Sequence, residues 1–211
     1  MGADLIAALD TDRILPVVVL DDPATAAPLA EALVHGGLST VEITLRTGAA
    51  VGAIHTLAGR DGLLVGAGTV LTPAQVDAAV DAGAAFVVCP GFRRTVVERC
   101  LALGVPVLPG VATATEVMLA LDAGVETVKF FPAEQLGGAA AVKALAGPFR
   151  DVRWVPTGGV HAGNLRSYLD MPAVLAVGGS WMVAPDLVAA GAWDEVARRT
   201  AEAVALAGGF A

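Results

Sequence analysis

Eight short apolar, β-branched runs divide this chain at near-even intervals: ILPVVVL (14–20), TVEITL (40–45), LLVGAGTV (63–70), AFVVCP (85–90), VPVLPG (105–110), TVKFFP (127–132), VRWVPTGG (152–159) and AVLAVGGS (173–180). Between them lie alanine-rich segments with helical spacing of apolar residues, at 23–35, 48–59, 73–82, 93–103, 114–123, 139–146, 162–169 and 186–206. Thr72-Pro73-Ala74-Gln75 and Thr113-Ala114-Thr115-Glu116 carry a capping hydroxyl with Gln or Glu three residues on, a helix start signal. Gly36-Gly37, Gly83, Gly104 and Gly124 follow helical segments, where a left-handed C-cap favours glycine. Each interval holds one helix and two short loops but no hairpin partner, so the strands are predicted to be parallel. Eight parallel β/α units predict an α/β fold, a single (β/α)8 TIM barrel over 1–211, with a short helix near Ala3–Leu9 at its N-terminal end. An open doubly wound sheet is the other architecture that such alternation permits, and the count of eight favours the ring.

Composition agrees with a helix-covered interior: 55% of residues are hydrophobic and 16% charged, which excludes a disordered chain. The longest apolar runs, such as Ile14–Leu20, fall far short of the ~20 residues that a membrane span needs, so no membrane partner is expected. The opening MGADLIAALDTDR has no basic stretch followed by an apolar one, so a cytoplasmic location is expected. With 13 basic against 21 acidic side chains, a formal charge of −8 and no basic stripe, nucleic acid is not an expected partner. Cys89 and Cys100 form no CxxC pair and are read as reduced core residues.

In such a ring, chemistry gathers at the C-terminal ends of the strands. The residues found there are Glu42, Thr44, Arg46, Thr69, Pro90, Lys129, Thr157-Gly158-Gly159 and Gly178-Gly179-Ser180. Lys129 stands out because it interrupts an apolar strand in a chain with two lysines and eleven arginines. Alternation puts Glu42, Thr44 and Arg46 on one face of their strand and Thr127, Lys129 and Phe131 on one face of theirs, so the charges meet if both faces point inward. One reading of Glu42, Arg46 and Lys129 is a buried structural ion network, which is weak evidence of stability because desolvation offsets the attraction. The other is chemical. An ammonium is no nucleophile, but burial and a nearby cation such as Arg46 both favour the neutral amine that forms Schiff bases with ketones.

The resulting iminium is an electron sink for breaking a C–C bond, so neither a metal nor another cofactor is expected. His35, His55 and His161 have no ligand spacing and are read as surface or capping residues. Glu42 is the candidate proton carrier, and planar Arg46 suits bidentate binding of a carboxylate beside the ketone. Thr69 and Thr157 are either hydroxyl donors or packing residues of the ring; Pro90 and Phe131 complete the substrate-binding set. The paired glycines of PTGGV and VGGSW, with Ser180, expose backbone N–H groups after the last two strands, where barrel enzymes bind phosphate. GAGTV (66–70) lacks the third glycine of a dinucleotide fingerprint, and no Walker or serine-elbow motif is present.

Taken in order, VEITLRT (41–47), VGAGTVLTPAQ (65–75), CPG (89–91), VKFFPAE (128–134), AGPF (146–149), PTGG (156–159) and VGGSW (177–181) resemble the class I 2-keto-3-deoxy-6-phosphogluconate (KDPG) and 4-hydroxy-2-oxoglutarate (KHG) aldolases. The resemblance implies Lys129 as the Schiff-base lysine, Glu42 as general acid/base, and Arg46 and Thr69 at the pyruvate-like end. It further implies Gly158, Gly159, Gly178, Gly179 and Ser180 around the phosphate, a homotrimer, and a role in Entner–Doudoroff sugar-acid breakdown. GFRRTVV (91–97) and EQLGGAAA (134–141) depart from the pattern and bear on aldehyde specificity. The expected reaction is cleavage of KDPG to pyruvate and glyceraldehyde 3-phosphate. Its alternatives are the galacto epimer or KHG as substrate, or a sugar-phosphate-binding barrel without turnover.

Overall fold

The computed structural model describes residues 2–208, so the ends of the predicted 1–211 domain lie outside the described residues. The chain runs α1 (Gly2–Asp12), β1 (Ile14–Val18), α2 (Ala26–His35), β2 (Thr40–Thr44), α3 (Ala50–Leu57), β3 (Leu64–Gly68), α4 (Pro73–Asp81), β4 (Phe86–Val88) and α5 (Arg94–Ala102). It continues through β5 (Val107–Leu108), β6 (Gly110–Val111), α6 (Ala114–Asp122), β7 (Thr127–Phe130), α7 (Gly138–Ala146), β8 (Arg153–Pro156), α8 (Leu165–Leu169), β9 (Val177–Gly179), α9 (Pro185–Ala189) and α10 (Trp193–Gly208). The capping boxes at Thr72–Gln75 and Thr113–Glu116 form as the sequence predicts and open α4 and α6. The predicted helix 186–206 is instead α9 and α10, parted at Gly191, whose φ of 63° turns the chain between them.

Every strand pair is parallel. One ladder runs β5-β4-β3-β2-β1-β9 and a second runs β6-β7-β8. Among the described residues the ring is thus two ladders and not the single continuous ladder of a closed eight-stranded barrel. Between β5 and β6 stands Pro109, which has no N–H to give, although its carbonyl accepts from Lys129 N at 2.9 Å. On the far side the ladders meet through isolated parallel bridges, Trp154 with Val174 and Thr157 with Gly178.

Strand alternation sorts the core into two clusters. Ile14, Val18, Val41, Ile43, Val87, Val128, Phe130 and Trp154 pack outward against the helices. Leu15, Phe86, Val88, Leu108 and Val155 pack inward, where Leu5 and Leu9 of α1 join them. At the N-terminal end of β2, buried Asp12 accepts from Ser39 N at 2.9 Å, Ser39 Oγ at 3.0 Å and Thr40 Oγ1 at 2.8 Å, tying α1 to the sheet. Among the described residues no helix is long and apolar enough to cross a membrane.

Candidate active site

The inward faces of β2 and β7 are polar, and each carries one charged residue at mid-strand, Glu42 and Lys129. Lys129 is 6% exposed and Glu42 1%. Lys129 Nζ donates to both carboxylate oxygens of Glu42 at 3.3 Å. The same nitrogen lies 5.4 Å from the centroid of the Phe131 ring, within reach of its negative face. Glu42 is paired in register with Val17 on one side and Gly66 on the other. Its carboxylate fits because Gly68 has no side chain: a Cβ there would stand 2.1 Å from Glu42 Oε1. The second glycine of GAGTV thus makes room for an acid, a role that a strand-end reading missed because it depends on the neighbouring strand.

A cavity of about 340 Å³ opens over the pair, and Lys129, Phe131 and Arg46 are on its wall. This is the lower end of the ordinary size for a small-molecule site. Alternation predicts Arg46 on β2, but it does not belong to that strand. The strand ends at Thr44, and Arg46 is exposed in the following turn, with its N–H on Thr44 O at 2.8 Å. Thr44 stays in β2, where its hydroxyl donates to Val18 O at 2.8 Å and braces β1 against β2. Arg46 Nε donates to Thr69 Oγ1 at 3.2 Å. Thr69 has φ 57°, a left-handed conformation that costs a β-branched residue about 1–3 kcal/mol. That conformation accompanies the contact of its hydroxyl with the guanidinium.

Across the cavity stand Thr157, Gly158, Gly159, Gly178, Gly179 and Ser180. Gly158 and Gly159 have φ values of 103° and 78°, so only glycine adopts this turn without strain. Gly178 is closed to a side chain by Thr157 Oγ1, 2.2 Å from the Cβ position, and Gly179 by the Trp181 ring at 1.9 Å. Lys129 and Arg46 are the charged residues of the cavity wall. The other polar side chains of the wall are the hydroxyls of Thr157 and Ser180.

Nine of the predicted site residues line this cavity, Glu42 lies under it, Thr69 joins it through Arg46, and Pro90 stands outside the lining, against Gly110. Val17 and Val19 of the first apolar run also form wall. Their period-two placement in ILPVVVL was the available signal. His35 and His55 are exposed on helices, and His161 accepts from Gly163 N at 3.0 Å, a capping contact. Cys89 and Cys100 are buried and unbridged, and burial pushes their thiols up to about 12 and about 11.

A buried amine and carboxylate beneath a cavity lined by two glycine pairs, in a parallel β/α fold, fit a lyase that acts on carbonyl compounds. The family model described as KDPG and KHG aldolase matches residues 5–199, and the chain belongs to that family. It is 48% identical over 202 residues to the 2-dehydro-3-deoxy-phosphogluconate aldolase of Treponema pallidum, covering 95% of this chain and 96% of that one. The crystal structure of the Zymomonas mobilis KDPG aldolase with 3-phosphoglycerate superposes with a TM-score of 0.90 at 42% identity, covering 98% of this chain and 97% of the other. The Legionella pneumophila KDPG aldolase, with pyruvate captured as a covalent carbinolamine, does so at 0.90 and 38%, covering 93% and 96%.

Proposed function

We propose that this chain is a Schiff-base aldolase that reversibly cleaves KDPG to pyruvate and glyceraldehyde 3-phosphate. The observation that carries the reading is the buried Lys129–Glu42 contact at 3.3 Å beneath the cavity. Lys129 gives a proton to Glu42 and adds to the keto carbon; the carbonyl oxygen, protonated, leaves as water and an iminium remains. Glu42, again a carboxylate, takes the proton of the C4 hydroxyl. The C3–C4 electrons move into the iminium, and the aldehyde departs. The enamine then takes a proton at C3 from Glu42, and water releases pyruvate. In this reading Arg46 and Thr69 hold the substrate carboxylate, and Pro90 and Phe131 bound the pyruvate end. Thr157 faces the central hydroxyls, and the two glycine pairs with Ser180 hold the phosphate.

The carbinolamine of the Legionella relative and the phosphorylated ligand of the Zymomonas relative support both ends of this assignment. Homotrimeric assembly and a cytoplasmic location belong to the same proposal. Exposed Leu71, Leu101 and Met118 are apolar surface of the kind that a subunit contact covers.

Borohydride reduction in the presence of pyruvate tests the mechanism. The expected adduct sits on Lys129, is lost in Lys129→Ala, and is kept in Lys143→Ala, whose lysine is exposed on α7. A wild-type chain that gives no adduct would instead be a sugar-phosphate-binding barrel. Rates on KDPG, its galacto epimer and KHG decide the preferred substrate.

A further inference from the structure

Tyr168, the chain's one tyrosine, is fully buried in α8 and has no part in the chemistry above. Its hydroxyl donates to Glu134 Oε1. Glu134 follows β7, and its N–H donates to Gly158 O at 3.0 Å, while Ala133 N donates to Thr157 O at 2.8 Å. The contact is tight. A Cβ on Gly159 would stand 2.7 Å from Glu134 Cβ and Cγ, and one on Gly138 would stand 3.2 Å from Glu134 Oε1 and 3.4 Å from Tyr168 Oη. Gly138 itself has φ 63°, so it follows the loop's path at no steric cost.

The Gly158–Gly159 turn is thus gripped at two points. Its first carbonyl is held by the Glu134 backbone, and the helix it leads into is held, through Tyr168, by the Glu134 side chain. Glu134 does not line the cavity; it is exposed, and its carboxylate accepts from Tyr168. Negative charge next to a cradle for an anion works against binding, and among the described residues no salt bridge explains it. Its use is as the acceptor for a buried hydroxyl that would otherwise be unsatisfied.

We propose that Glu134 and Tyr168 are positioning residues for the phosphorylated end of the substrate, fixing the left-handed Gly158–Gly159 turn before the ligand arrives. This rests on the reading that the turn holds the phosphate. A turn left unbraced must be ordered by the ligand, and that cost falls on phosphate affinity alone. KHG has no phosphate and does not meet the cost.

The test uses Tyr168→Phe, Glu134→Ala and Glu134→Gln, with inorganic phosphate as the probe. KM for KDPG and the inhibition constant of phosphate should rise about tenfold in Tyr168→Phe and Glu134→Ala, the loss of one charge-assisted hydrogen bond. Glu134→Gln, whose amide oxygen still accepts, should recover most of that loss. KM for KHG, kcat and pyruvate trapping should change by less than about twofold, which loss of a merely structural contact would not ensure. Wild-type protein that phosphate does not inhibit overturns the phosphate reading and this proposal together. Inhibition of wild type with an unchanged constant in Tyr168→Phe overturns this proposal alone. Equal losses on KDPG and KHG overturn it too.

Discussion

Gly68→Ala is the sharpest test of how the acid is held. The new methyl would start 2.1 Å from Glu42 Oε1 and 2.5 Å from its Cγ, whereas ordinary contact begins at 3.4 Å. The carboxylate must therefore withdraw by the difference of the two oxygen distances, 3.4 − 2.1 = 1.3 Å. Glu42 is 1% exposed, so it has no solvent to swing into, and its separation from Lys129 Nζ, now 3.3 Å, changes by a comparable amount. A displacement of about 1 Å in a catalytic group costs about 100-fold in rate. Overpacking of about 2 kcal/mol at a buried strand should also lower Tm by about 4–8 °C in a chain of this size. Gly52→Ala is the control: it lies in α3, and its nearest contact is Pro23 Cβ at an ordinary 3.6 Å. It should gain up to about 1 kcal/mol of stability and keep its rate. Steady-state cleavage coupled to pyruvate detection, with melting curves for each variant, reads both effects. A Gly68→Ala enzyme with wild-type kcat would refute the claim that the missing Cβ fixes the acid.

The other predictions use separate parts of the molecule. Arg46→Lys keeps the charge but loses the planar fork and its contact with Thr69, so KM for keto acids should rise by about tenfold while pyruvate, once trapped, still marks Lys129. Burial, the larger influence, raises the Asp12 carboxyl above its ordinary range against the hydrogen bonds from Ser39 and Thr40. Because the folded value is the higher one, its contribution is greatest below the unfolded pKa of about 4 and falls as pH rises through the raised value. Wild-type Tm should therefore drop relative to Asp12→Asn as pH increases from about 4, and a constant difference would contradict this. With thiols held up to about 12 and about 11, Cys89 and Cys100 should resist iodoacetamide at neutral pH and react only after denaturation, as followed by mass spectrometry.

The strand and helix pattern was legible because parallel strands buried on both faces are short apolar runs, and because hydroxyl caps and terminal glycines punctuate the helices. Lys129 was legible because an ammonium in an apolar strand has no cheap structural explanation. Other features depend on neighbours distant in sequence. Nothing local in GAGTV says that Gly68 faces a carboxylate on the adjacent strand, and nothing in EQLGG says that Glu134 meets a tyrosine of α8. VPVLPG was read as one strand, and neither the break at Pro109 nor its carbonyl's bond to Lys129 N was read from it. Arg46 was placed on a strand by alternation, which fails where the ladder ends and a turn begins. The split of the last helix at Gly191 was hidden because an isolated glycine in an alanine-rich stretch also fits an unbroken helix.

The two groups of the proposed chemistry belong to different ladders, the carboxylate to β2 and the amine to β7, 87 residues apart in the chain. A nascent polypeptide that has made only β1 to β5 carries an acid with no amine to oppose it. Reactivity towards ketones then arises only when the second ladder docks. In that sense covalent labelling by pyruvate reports the maturation of the whole molecule, and a stalled or misassembled chain stays chemically silent.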